Sequence, residues 1–148
     1  MSGYCNTVWT GIEGQVAAHM IFEGLTMEGL AILRSIHDRY DGIKHNPYNQ
    51  ILCGDHYARA MSSWGCLIAA SGYMYDGPEG KIGFMPKISP NNFNAFFTSA
   101  QGWGNLIQKR EKGRQINIIQ VKWGELNVKQ FVFELPPTVF SEPRVNFY

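Results

Sequence analysis

The span NPYNQILCGDHYARAMSSWG, Asn46 to Gly65, gathers amide, thiol, carboxylate, imidazole and guanidinium groups within twenty residues. Cys53, Asp55 and His56 are all capable metal ligands, yet their spacing matches no zinc pattern and no second cluster accompanies them. The competing reading is a helix start, with Gly54 in a turn and Asp55 accepting backbone N–H bonds as the cap. No metal and no cofactor are expected. Arg59 stands four residues after Asp55 and admits two readings. One is an i,i+4 ion pair on a helix surface, worth a few tenths of a kcal/mol. The other is a guanidinium presented beside Asn49 and Gln50. An amide and a guanidinium in fixed directions suit sugar hydroxyls, which both give and accept hydrogen bonds.

Other chemistries find less support. Glycoside hydrolysis needs two facing carboxylates. Glu13, Glu23, Glu28 and Asp55 are available, but none has a context that pairs it with another. No Ser-His-Asp or Cys-His arrangement is evident. The GWG and DGPEG stretches read as turns and lack the surroundings of a phosphate loop. Lys109, Arg110, Lys112 and Arg114 form a basic run interrupted by Glu111, which reads as a solvated hairpin turn.

Helices are expected first. Val8, Ile12, Val16 and Met20 recur every four residues over 8–23, one stripe of a helix that Gly24 can end. Thr26 is placed to cap a second helix, with Glu28 in its first turn and Met27, Leu30, Leu33, Ile36 and Tyr40 as its stripe. Asp41-Gly42 stops it, and the short link makes the two helices antiparallel. Residues 46–54 read as a loop. A third helix is expected from Asp55, carrying Tyr57, Met61, Trp64, Leu67 and Ile68, with small Ala58, Ala60, Ala69 and Ala70 allowing close packing.

The period changes near Gly72. Asp-Gly-Pro-Glu-Gly between apolar runs signals a hairpin. SPNNFNAFF reads as a short capped turn. Strands are expected over 104–109, 115–123 and 127–135, in meander order, with Pro136-Pro137 ending the last. The fold class is therefore α+β: a mainly helical first half, with helices over about 7–72, a β-rich segment over about 73–135 and an irregular tail over 136–148.

The chain has 148 residues, 45% hydrophobic and 17% charged, which fits a globular domain with a real core. A net charge of +1 supplies no global pull toward nucleic acid or anionic membrane. Cys5, Cys53 and Cys66 are odd in number and widely spaced, which points to reduced thiols and a cytoplasmic setting. No apolar stretch reaches the roughly 20 residues a membrane span needs. The N-terminus lacks the basic and apolar regions of a secretory signal.

The stretches VWTGIEGQVAAHMIFEGLTMEGLAILRSIHDRYDG, NPYNQILCGDHYARAMSSWG and FTSAQGWG together resemble the C-terminal part of glycoside hydrolase family 116. That family includes non-lysosomal glucosylceramidase and bacterial β-glucosidases. The resemblance runs over residues 8 to 135. It implies the last helices of an (α/α)6 barrel followed by a β-hairpin-rich segment. It also implies a retaining β-glucosidase whose two catalytic carboxylates lie upstream, leaving this chain with no catalytic residue. The partners implied are a β-glucoside or glucosylated lipid and the N-terminal remainder of the enzyme. An isolated piece of this kind is expected to be inactive and to expose apolar helix faces. In the family a glutamate and an arginine nine positions apart hold the glucose hydroxyls. Arg59 takes the arginine position and Gln50 takes the glutamate position. Leu52 stands where many members carry a second glutamate, and Gly14 where an aromatic often follows. Trp9 is a third candidate, able to stack on a sugar ring or to pack in the core.

Overall fold

The computed structural model describes residues 8–50, 56–136 and 144–145. These residues form α1 (Thr10–Phe22), α2 (Thr26–Arg39) and α3 (Ala60–Ser71). The strands that follow are β1 (Met74–Asp76), β2 (Lys81–Phe84), β3 (Asn92–Thr98), β4 (Gly102–Glu111), β5 (Arg114–Gly124) and β6 (Gln130–Phe133). The chain divides into two compact units, one helical and one of strands, with the boundary between Gly72 and Tyr73.

In the helical unit α1 packs against both α2 and α3. Its buried stripe is Thr10, Gly14, Ala17 and Ile21, not the larger apolar stripe. Val8, Ile12 and Val16 are 41–51% exposed, and Met61 on α3 is 89% exposed. Small side chains explain this. A Cβ on Gly14 would stand 2.0 Å from the Ser62 hydroxyl, and one on Gly29 would stand 2.7 Å from the Ala17 carbonyl. The backbones approach too closely for large residues between them, so those residues turn outward. The approach also lets side chains bond across. The Ser62 hydroxyl donates to the Gly11 carbonyl at 3.0 Å, and the Cys66 thiol to the Gly14 carbonyl at 3.2 Å. Glu13 of α1 pairs with Arg39 of α2.

α3 begins at Ala60, later than the expected start at Asp55, a residue outside those described. His56 and Arg59 explain the delay, because both hold left-handed backbone conformations, with φ of 67° and 53°. Such residues cannot continue a right-handed helix, and each costs on the order of 1 kcal/mol outside glycine.

The strand unit stacks two three-stranded sheets, ordered β1-β2-β6 and β3-β4-β5. Ile82 and Phe84 of the first sheet meet Phe93, Phe97 and Leu106 of the second in one core. Two expectations fail here. SPNNFNAFF is not a turn. Its latter part is β3, paired with β4 over seven residues, with Phe93 and Phe97 turned inward and Asn92, Asn94 and Phe96 outward. The last strand does not continue a meander. β6 crosses to the other sheet and pairs parallel with β2. The Gly80 carbonyl accepts from Lys129 and Gln130 at the crossing, and Phe133 sets its ring edge-on to Phe84 at 5.2 Å. Burial of those rings in the core outweighs the short connection that a meander would allow.

The expectation of an (α/α)6-barrel remnant is overturned. Three helices and six strands in two small sheets make up the described chain. The general α+β label remains compatible with it. A barrel of helical hairpins needs each helix followed by another, whereas α3 ends at Gly72 and runs directly into β1. The residues after Gly72 alternate with period two and bury aromatic rings between sheets, which a helix could not do.

Candidate functional site

Among the described residues, Gln50 is a buried polar side chain outside the helices, 2% exposed. Its backbone N–H donates to the Tyr57 carbonyl at 2.9 Å, an isolated bridge that closes the loop between them. Its side chain is held at both ends. Oε1 accepts from the Thr10 hydroxyl and from Arg59 Nε, the latter at 2.6 Å. Nε2 donates to the Val8 carbonyl at 3.2 Å. Gln50 thus ties the start of α1 to the start of α3 through one amide.

Arg59 is aimed by its backbone. As the residue preceding α3 it accepts the first helical bond, from Ser63 N–H at 3.2 Å. Its left-handed φ turns the side chain back toward Gln50 instead of letting it run along a helix surface. Strained residues of this kind cluster where a side chain must point in one direction. The guanidinium carbon lies 4.3 Å from the centre of the Tyr57 ring, a cation–π contact. The side chain passes over Gly11, where a Cβ would meet Arg59 Cδ at 3.4 Å, an ordinary van der Waals contact. Among the described residues the two terminal guanidinium nitrogens have no hydrogen-bond partner.

Beside this knot lies an open cavity of about 250 Å³. Thr10, Gln50, Arg59 and Ser62 supply part of its polar lining, and His37 of α2 and Tyr40 just after α2 also line it. The described lining therefore offers hydroxyl, amide, guanidinium, phenol and imidazole groups, and no carboxylate. Hydrogen-bonding recognition is the chemistry such a wall supports.

The structure brings Gln50 and Arg59 together, nine positions apart in sequence and in direct contact. It does not bring Trp9 to the cavity wall. Trp9 precedes α1, lies 46% exposed, and its carbonyl accepts from Ile12 and Glu13. Its chain neighbours Val8 and Thr10 are the ones that bond Gln50. The i,i+4 reading of Arg59 has no helix to stand on, since residues 56–59 are not helical. Cys53, Asp55 and Leu52 lie outside the described residues. His56 donates its backbone N–H to Asn49 Oδ1 at 2.7 Å. Among the described residues no group of three or more His, Cys, Asp or Glu could hold a metal ion. Of the candidate carboxylates, Glu13 is engaged by Arg39, and Glu23 and Glu28 are exposed. Thr10, Ser62, His37 and Tyr40 were not singled out as candidates. Thr10 lies inside the WTGIE stretch that carries the family resemblance, which was the available signal; nothing local marks the other three.

No protein-family model matches the chain, and no curated protein matches it. No described helix is long and apolar enough to cross a membrane.

Proposed function

We propose that the helical unit binds a glucose unit in the cavity beside Gln50 and Arg59, and that the chain works as the sugar-holding portion of a β-glucosidase or glucosylceramidase of the family 116 type. One observation carries the reading: the two residues that the resemblance assigns to glucose recognition meet at 2.6 Å on the wall of a cavity. Arg59 then offers its terminal N–H groups to sugar hydroxyls, and Thr10, Ser62 and His37 add further donors and acceptors. The carboxylates that would break the glycosidic bond come from elsewhere in the working enzyme. A cytoplasmic site of action belongs to the same reading, supported by three unpatterned cysteines.

The geometry supports an amide at position 50 on its own terms. The Val8 carbonyl needs a donor, which a carboxylate cannot be. Gln50 therefore acts by fixing Arg59, leaving the guanidinium as the group that meets the sugar.

Calorimetric titration with methyl β-glucoside tests the proposal. The expected result is measurable binding by the full chain, lost in Arg59→Ala and partly restored in Arg59→Lys, with no release of aglycone from an aryl β-glucoside. A folded chain that binds no glucoside, or an Arg59→Ala variant that binds as well as the parent, overturns it.

A further inference from the structure

The cation on the wall of the helical unit's cavity has no carboxylate of its own. Among the described residues of that unit the Lys and Arg side chains are Arg34, Arg39, Lys44 and Arg59. Arg34 pairs with Asp38 at 2.8 Å, Lys44 with Asp41 at 3.4 Å, and Arg39 with Glu13. Arg59 is the exception among the described residues. Its Nε donates to the neutral Gln50 amide at 2.6 Å, and its guanidinium carbon lies 4.3 Å from the centre of the Tyr57 ring. Neither partner brings a negative charge.

The rest of the lining does not compensate it either. Gln50 is committed through Oε1 to Thr10 and Arg59, and through Nε2 to the Val8 carbonyl, so its amide cannot turn to meet a ligand. The Ser62 and Ser63 hydroxyls give their protons to the Gly11 and Ala60 carbonyls, at 3.0 and 2.9 Å, which leaves their oxygens as neutral acceptors toward the cavity. His37 is either neutral or positive, and Tyr40 is neutral at ordinary pH. The wall therefore presents a positive charge in a partly enclosed place. Charge-assisted hydrogen bonds are about twice as strong as neutral ones, and a planar carboxylate accepts from both terminal guanidinium nitrogens at once.

We infer that this cavity selects an acidic sugar, a β-linked hexuronic acid unit whose carboxylate takes the terminal N–H groups of Arg59 and whose hydroxyls meet Ser62, Ser63 and His37. The inference rests on the reading of the cavity as a sugar site and adds a charge preference to it: glucose is held, and its C6 carboxylate counterpart is held more tightly. One guanidinium matches a monoanion. A phosphate dianion would need more cations than the described lining supplies. The volume of about 250 Å³ lies below the roughly 300–1,000 Å³ of pockets for drug-sized ligands, and admits a single ring.

The test is calorimetric titration of the full chain with methyl β-glucuronide and methyl β-glucoside, which differ only at C6. The glucuronide should bind about tenfold or more tightly. Raising sodium chloride from about 50 to about 500 mM should narrow the gap, because screening weakens only the charged partner. Gln50→Glu supplies the missing carboxylate and Arg59→Gln removes the cation, and each should bring the ratio of affinities close to one. Far-ultraviolet circular dichroism checks that the variants fold, and the salt series on the parent chain decides without them. Equal affinity for the two glycosides, unmoved by salt, overturns the inference and leaves the glucose reading in place. Binding of the glucuronide alone upholds the inference while the glucose reading falls. Binding of neither by the folded chain ends both. Acetate that binds as tightly as the glucuronide reduces the cavity to an anion site, and glucose 6-phosphate that binds more tightly assigns it to phosphate; each overturns the inference. So does a preference that arises only in Asp55→Asn, which would show Asp55 neutralising the guanidinium of the parent chain.

Discussion

The two units bury different kinds of residue. The helical unit is closed by Ala17, Ile21, Cys66 and Ala69 together with the polar Thr10, Gln50 and Ser71, and it leaves Met61 almost fully exposed and Ile12, Val16 and Trp64 in part exposed. The strand unit is closed by Ile82, Phe84, Phe93, Phe97 and Leu106, with Gln108 the one buried polar side chain among its described residues. Gln108 is bonded to the Pro90 carbonyl and to Gln115. Helices that approach closely do so through small residues, and hydrogen bonds then replace apolar contact as the source of specificity. Sheets stand about 10 Å apart and need large rings to fill the gap. A binding cavity fits the first kind of interior, which already carries polar groups. The strand unit's own cavity, about 330 Å³, opens among Gly77, Pro78, Gly80, Asn127, Val128 and Lys129 instead of among its core rings.

Substitutions should divide along the same line. The largest effect is expected for Phe84→Ala, which removes a fully buried ring from the junction of the two sheets and should destabilise the strand unit by about 3–5 kcal/mol. Amide hydrogen exchange checks it: protection should fall in β2, β4 and β6 and hold in α1 and α2. Equal loss in both units would break the comparison. Gly29→Ala comes next. On an open helix this change would stabilise by up to about 1 kcal/mol. Here the new Cβ meets the Ala17 carbonyl at 2.7 Å, and a net loss of about 1–3 kcal/mol is expected in thermal unfolding. A gain would show that α1 and α2 can separate freely.

Gln50→Glu should cost about 1–2 kcal/mol, because the carboxylate that pairs with Arg59 also faces the Val8 carbonyl without a proton to give. Chemical denaturation at neutral pH measures it. A variant more stable than the parent would mean that the Val8 contact contributes little.

The smallest effects are those of pH, and they fall at opposite ends. Asp41, after α2, accepts backbone N–H bonds from Lys44 and Ile43, which hold its carboxyl down to about 2. Its folded pKa is depressed, so its contribution is present above the ordinary carboxylate range near 4 and fades as pH falls toward 2. Tyr73 behaves in the opposite way. Burial, and after it the nearby Tyr75, pushes its phenol up to about 12, and its hydroxyl donates to the Thr98 carbonyl at 2.7 Å. Its folded pKa is raised, so stability holds below the ordinary value near 10 and declines as pH climbs from there to 12. Ultraviolet titration should show a tyrosine ionisation near pH 12, and Tyr73→Phe should remove that step.

Much of this architecture is legible from residue order. The helix break at Gly24, the stop at Asp41-Gly42, and the hairpins at 76–81 and 111–114 follow from turn chemistry that acts within a few residues. Lys112 and Gly113 both hold positive φ, the pattern of a tight hairpin, whereas the rest of the basic run lies in the strands, Lys109 and Arg110 on β4 and Arg114 on β5, with Arg110 bonded to Gln115 and to the Glu134 carbonyl. What escaped local reading depends on partners distant in sequence. β3 carries a period-two pattern, but Ser-Pro-Asn-Asn at its entry speaks for a turn, and only pairing with β4 makes it a strand. The outward stripes of α1 and α3 read as core faces, because apolar periodicity cannot tell which side a neighbour will occupy. Residue spacing set Arg59 beside the Asn49-Gln50 loop, but the Gln50–Arg59 contact itself was not foreseen. Its geometry depends on two left-handed residues that neither propensity nor periodicity marks.

The parallel seam between β2 and β6 has a further meaning for the order in which the chain is made. β2 ends at Phe84 and its partner begins at Gln130, so during synthesis the β1-β2 hairpin must wait for a segment translated long after it. Contacts of such sequence separation form slowly. Until β6 arrives, one edge of β2 stands open while β3, β4 and β5 can zip by successive hairpins. The β3-β4-β5 sheet should therefore be complete first, and the final strand locks the two layers together.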